Sequence, residues 1–172
     1  MVPAISVLMA VWKPHPVFFP QALESVLTQT FSEFELIIVE DPSELSAEKI
    51  LARYTDPRIR YFRQPRRTSL VEQKNRGLAE VRAPLVAIFD ADDVCLPDRL
   101  ETQHRFLLQH SEVDVLGSQV AVIDERGAHR GFRLYPLEHE GIVESMLTVV
   151  PLCHPSVTMR TDVLTAVGGY YE

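Results

Sequence analysis

The chain has 172 residues, enough for one domain with a sizeable core, and its 46% hydrophobic and 24% charged content is that of an ordinary globular protein. A net charge of −7 argues against a nucleic-acid or anionic-membrane binder, which needs a basic face, but leaves room for a local basic pocket for phosphates. Cys95 and Cys153 have no CxxC partner or metal-like spacing, no basic stretch precedes the first apolar run, and no run approaches the ~20 residues of a membrane span; a cytoplasmic, single-domain chain with free thiols is expected.

Ile5-Ser6-Val7-Leu8-Met9-Ala10-Val11 is nearly all apolar and predicts a central strand. Lys13-Pro14-His15-Pro16 breaks it into a loop. From Val17 to Gln29, Phe19, Ala22, Leu23, Val26 and Leu27 recur at helical spacing. Residues 34–39 predict a second buried strand, ending in Glu40-Asp41-Pro42-Ser43. Ser46 opens a helix with Glu48, Ile50, Leu51 and Tyr54, and residues 59–62 form a short third strand. Arg63-Gln64-Pro65-Arg66-Arg67-Thr68-Ser69 is a basic cluster in an acidic chain. Ser69 and Glu72 have capping-box spacing, and the helix they open runs to about Arg82 with a polar face at Lys74, Asn75 and Arg76. Residues 85–89 predict a fourth strand. Pro97 suits a helix's first turn, and Leu100, Phe106, Leu107 and Leu108 give that helix an apolar side. Residues 113–122 read as one strand with a glycine inside it.

The alternation predicts an α/β fold, a mostly parallel sheet with helices on both faces. After about Gly127 the pattern changes. Residues 130–136, a helix near 138–147 and a strand near 156–160 read as an appended region with mixed or antiparallel pairing, without a composition break that marks a second domain.

The chemistry concentrates in Val86-Ala87-Ile88-Phe89-Asp90-Ala91-Asp92-Asp93, where a buried strand runs into acids spaced D-x-D-D. Clustered carboxylates repel one another, and a hard cation such as Mg²⁺ or Mn²⁺ relieves that cost, often sharing its shell with phosphates. The alternative is an acidic turn starting the next helix. Asp41 ends the second strand, so neighbouring parallel strands bring it to the same rim, where Arg66 and Arg67 can pair with phosphate. Neither G-x-x-x-x-G-K-[ST] nor G-x-G-x-x-G follows the first strand, which disfavours P-loop and dinucleotide-binding readings.

These pieces together resemble a family 2 glycosyltransferase of the GT-A fold, a Rossmann-like three-layer sandwich. The resemblance rests on residues 5–12, on Leu23-Glu24-Ser25-Val26-Leu27-Thr28-Gln29-Thr30-Phe31, on residues 34–41, on Asn75-Arg76-Gly77-Leu78, on Phe89-Asp90-Ala91-Asp92-Asp93 with Leu96-Pro97-Asp98-Arg99-Leu100, on His154-Pro155-Ser156-Val157 and on Val167-Gly168-Gly169-Tyr170. It implies transfer of a sugar from a nucleotide-diphosphate sugar, a UDP-sugar favoured, to a hydroxyl of a saccharide or lipid-linked acceptor. It implies a divalent metal (Mn²⁺ or Mg²⁺) on Asp92 and Asp93, Asp41 on the base, and a nucleotide pocket lined near Ala10 and Val11. Asp90, Ala91, Asp92, Arg67 and Asn75 complete the candidate nucleotide-sugar contacts, and His154 is the acceptor-side candidate. In this resemblance residues 1–125 form the donor-binding half and 126–172 begin the acceptor side. The catalytic base of inverting members lies in an acidic pair beyond the Gly-Gly-Tyr segment, so it is expected beyond Glu172, with Glu172 itself a minor candidate and the chain a truncated domain. A peripheral position at the inner face of a membrane and a homodimer stay open. Departures are Pro42, where glycine is usual, and Trp12-Lys13 in place of the common Tyr-Asn. Competing readings are a metal-dependent nucleotidyltransferase, a receiver-type phosphoacceptor using Glu40, Asp41 and Asp90, and an inactive nucleotide-sugar-binding domain.

Overall fold

A computed structural model describes residues 2–171. The order is β1 (Ile5–Val11), α1 (Phe18–Leu27), β2 (Phe34–Glu40), α2 (Ala47–Leu51), β3 (Ile59–Arg63), α3 (Leu70–Leu78), β4 (Leu85–Asp90), α4 (Arg99–Gln109), β5 (Val115–Leu116), β6 (Val120–Ile123), β7 (His129–Arg133), α5 (His139–Ser145), β8 (Thr158–Arg160) and α6 (Thr161–Ala166). A six-stranded sheet runs β3-β2-β1-β4-β8-β5, with β1 to β4 parallel and β8 antiparallel to both its neighbours. Of the expected mixed C-terminal part, β8 is therefore built into the main sheet.

The continuous apolar strands are buried on both faces because helices cover both. On one side Ile5, Val7, Met9 and Val11 of β1 pack with Phe19, Ala22, Leu23 and Val26 of α1, Ala47 and Leu51 of α2, and Leu100 and Leu107 of α4. On the other, Leu8, Ile37, Val39, Val86 and Ile88 pack with Leu164 of α6 and Leu78 of α3. Gly77 lets α3 lie directly on β1 and β2, since a Cβ there would collide with Leu8 and sit 3.1 Å from Val39 Cγ2.

The expected single strand over residues 113–122 is two strands in two sheets. It breaks at Gly117, where a Cβ would come within 2.9 Å of Leu152. The next residue is held by Ser156, whose Oγ accepts the Ser118 N–H at 3.1 Å. β6 then leaves the main sheet and pairs with β7 in a separate ribbon. The outward side of this ribbon carries Ile123 and Phe132 exposed, and no residue of α5 is buried.

Candidate functional site

Strand register brings the predicted acids to one rim. Ala10 lies opposite Val39 on one side and Asp90 on the other, and Val11 lies opposite Glu40. The C-terminal ends of β1, β2 and β4 therefore stand side by side, the edge at which parallel sheets bind ligands. Ala10 is at its centre. Val11 contributes its backbone: the side chain is buried, and its carbonyl accepts the Asp41 N–H at 2.9 Å and the Gln73 amide at 2.7 Å.

The two acids ending β2 part company. Glu40 is wholly buried, and its carboxylate accepts the Ala47 N–H at 2.8 Å and the Tyr61 hydroxyl. It caps α2, while Ser46, spaced for that task, has a buried hydroxyl without a hydrogen-bond partner among the described residues. Burial first, and then the Glu40 carboxylate, raise the Tyr61 phenol far above its ordinary range. Asp41 instead faces the basic loop. It is only 2% exposed and accepts the Thr68 N–H at 2.6 Å, with the Thr68 hydroxyl 2.9 Å from both carboxylate oxygens. Arg67 lays its guanidinium 3.9 Å from the centroid of the Trp12 ring. Loop 64–69 thus closes over Asp41 and Trp12, and a base reaching Asp41 uses the lone pairs Thr68 leaves or displaces Thr68. A cleft of about 420 Å³ lies along this loop, lined by Gln64, Arg66, Thr68, Glu72, Asn75 and Arg76, and it does not reach the acids after β4.

Those acids form a tight turn, with the Asp93 N–H 3.4 Å from the Asp90 carbonyl. Asp90 and Ala91 are half-buried, while Asp92 and Asp93 keep exposed surface. Desolvation raises the Asp90 carboxyl, against the pull of Lys74. Desolvation of its carboxyl, then the charges of Asp90 and Asp92, push Asp93 up to about 6. The three acids share one negative field. Among the described residues, however, no three acid, His or Cys side chains converge closely enough to hold a metal ion by themselves. The donor set suits a hard divalent cation that takes one or two carboxylates here and completes its shell with ligand oxygens. Arg99 braces this turn from below. Its guanidinium donates to the Ile88 carbonyl at 3.0 Å and lies 5.5 Å from the Phe89 ring centroid.

Three consecutive residues of α3 tie the rim together, and only Asn75 of them was a predicted contact. Gln73 is 3% exposed and donates to the Val11 and Val39 carbonyls at 2.7 and 2.6 Å, joining the ends of β1 and β2. Asn75 clamps Tyr170 by both ends of its amide, donating to the Tyr170 carbonyl at 2.8 Å and accepting its N–H at 2.9 Å. Its amide is therefore turned to the C-terminal segment. Gly169 permits that approach: φ is +84°, and a Cβ would stand 2.5 Å from Asn75 Oδ1. Lys74 is 8% exposed, with its Nζ 3.2 Å from His154 Nδ1, and His154 Nε2 lies 3.2 Å from the Tyr170 hydroxyl. Burial lowers the Lys74 ammonium against support from Asp90, burial and then Lys74 lower His154 to about 4, and burial raises Tyr170 to about 12. His154 is thus neutral and directed at Lys74. Glu172, the minor base candidate, lies outside the described residues. The polar run 74–76 signalled a solvated face; Gln73 is buried where it donates to the strand ends, and Lys74 is covered by His154 and Tyr170.

A sequence model of glycosyl transferase family 2 matches residues 6–167. The chain belongs to that family. Among its relatives, the amylovoran biosynthesis glycosyltransferase AmsE of Erwinia amylovora is 32% identical over 96% of this chain and 63% of its own length. The chain spans about six-tenths of the length of the curated relatives it matches. Of solved structures, Staphylococcus aureus TarS 1-349 in complex with UDP-GlcNAc superposes with a TM-score of 0.77 at 20% identity, covering 98% of this chain and 48% of that one. The mannosyltransferase PcManGT of Pyrobaculum calidifontis in complex with GDP-Man and Mn²⁺ gives 0.72 at 16% identity, covering 98% of this chain and 48% of that one. Both likenesses establish the GT-A architecture for this family 2 chain.

Proposed function

We propose that this domain binds a nucleotide-diphosphate sugar, a UDP-sugar favoured, for transfer to an acceptor hydroxyl of a saccharide or lipid-linked acceptor in polysaccharide or glycoconjugate synthesis. The observation that carries the reading is the register that sets Asp41 and the Asp90–Asp93 turn at one rim, on the ends of the two strands that flank β1. Relatives lend support: AmsE is named for a polysaccharide, and TarS and PcManGT are seen with nucleotide sugars. In this reading Asp41 accepts a hydrogen bond from the base, the backbone at Ala10 and Val11 floors the pocket, and Asp90 and Ala91 meet the ribose. Arg67 moves from Trp12 to the nucleotide as loop 64–69 opens. Asp92 and Asp93 would hold a divalent metal, whose positive charge would offset that of the departing diphosphate. Inversion at the sugar requires a carboxylate base for the acceptor proton, which none of the assigned residues provides.

Thermal melts with UDP, GDP, CDP and dTDP, each with and without Mn²⁺, test the proposal, because a ligand that binds only the folded state raises the melting temperature. The expected result is a Mn²⁺-dependent rise with UDP that Asp92→Ala abolishes. Absence of a rise with all four nucleotides contradicts the reading. A rise in Asp92→Ala that still depends on Mn²⁺ places the cation elsewhere. Hydrolysis of a panel of nucleotide sugars then identifies the donor.

A further inference from the structure

Lys74 is a buried cation that feels the charge of Asp90 but makes no direct ion pair among the described residues. Among the described residues no carboxylate oxygen lies within 4.0 Å of its Nζ, and its hydrogen-bond partner is the imidazole of His154 at 3.2 Å. Its other neighbour is the face of Tyr170, 5.6 Å to the ring centroid. An ammonium has three donors, and this one leaves two unspent. Burying a charge so poorly partnered is costly unless an anion joins it. The acids nearest by are those of the turn after β4, which the proposed function commits to ribose and cation. Lys74 also stands between Gln73, which closes the ends of β1 and β2, and Asn75, which clamps Tyr170. The residues on either side of this ammonium are thus both fixed by hydrogen bonds to remote segments.

We propose that Lys74 is a phosphate-binding residue, whose ammonium pairs with an oxygen of the diphosphate of the bound nucleotide. The inference rests on the nucleotide-sugar reading above and adds to it a fixed, protein-borne positive charge that works alongside any metal. His154 then acts through Lys74, holding the ammonium in place with a neutral lone pair while its Nε2 engages the Tyr170 hydroxyl. The arrangement makes diphosphate binding partly independent of metal. It also ties that binding to the Gly168-Gly169-Tyr170 segment.

Calorimetric titration of UDP and of uridine, each in EDTA and in Mn²⁺, tests this on the wild type, Lys74→Met and Lys74→Arg. Lys74→Met is expected to weaken UDP about tenfold or more in both buffers, the worth of one charge-assisted hydrogen bond, while uridine stays within about twofold. Lys74→Arg is expected to recover most of the UDP affinity. Should Lys74→Met not fold, Lys74→Gln carries the same comparison. UDP affinity unchanged in the neutral variant overturns the proposal, as does an equal loss for uridine and UDP, which marks general damage to the pocket. A wild type that binds neither compound overturns the nucleotide-sugar reading together with this one, and so tells the two failures apart.

Discussion

Lys13 follows β1 with φ at 53°, in the left-handed region that side chains with a Cβ avoid. Asparagine, common at this position in the family the chain resembles, tolerates that conformation, so the usual residue there answers a backbone demand at the turn out of β1. Lys13 keeps a 3.0 Å ion pair with Glu44, but both side chains are exposed and such pairs are worth little. Lys13→Asn is therefore expected to stabilise the protein by roughly 0.5–1 kcal/mol, read from the urea midpoint. A lower midpoint would mean the ion pair outweighs the backbone. Glu40 and Asp41 show how little side-chain type alone says. They are adjacent acids at one strand end, yet one is a helix cap under the sheet and the other faces the rim.

At the scale of elements, α3 does most to build the site. Its N-terminus is capped as the Ser69 and Glu72 spacing suggested, Ser69 Oγ accepting the Glu72 N–H at 3.2 Å. Its next turns hold the ends of β1 and β2 and the Tyr170 segment, and they can do so because Gly77 brings the helix axis close to the sheet. Gly77→Ala gains helix propensity but forces a methyl into Leu8, and overpacking of a buried contact costs about 1–3 kcal/mol against ~1 kcal/mol gained. The net expectation is a loss of up to about 2 kcal/mol on denaturant unfolding, with the proposed UDP binding weakened as Gln73 and Lys74 lift from the rim. A variant as stable as the parent would show that Leu8 simply changes rotamer.

For the molecule as a whole, two groups of the site oppose each other in acid. Asp93 holds its proton up to about 6 when folded, above its ordinary 3.8, so its contribution to stability is greatest at low pH and is lost as pH rises between those values. His154 stays neutral down to about 4 when folded, below its ordinary 6.5, so its contribution is present at neutral pH and is lost as pH falls through that range. Their slopes cancel in part. Asp93→Asn should leave a melting temperature that climbs more steeply with pH from about 4 to 6.5 than in the wild type, and His154→Gln one that climbs less or falls. Parallel curves for all three proteins would show that neither group is shifted. Under the proposed cation role of Asp92 and Asp93, Mn²⁺ affinity should rise as pH passes about 6, where Asp93 becomes a carboxylate.

Much was legible in the chain alone: β1, β2, β3 and β4, most of the helices, the GT-A family, and the placing of Asp41 and Asp90 at strand ends. The elements and strand ends follow from apolar periodicity and from the rule that parallel strands end at one rim, whereas the family followed from the resemblance of several short motifs in order. What the tertiary structure decided were the partners. Lys74 meets His154 across 80 residues and Asn75 meets Tyr170 across 95, and no periodicity records such pairings. The strand expected over 113–122 divides at Gly117 because of Leu152 and Ser156, which arrive from a distant loop. Hydrophobic pattern tells which side of an element faces inward. Which donor satisfies a buried carbonyl or carboxylate is settled only when folding brings remote segments together.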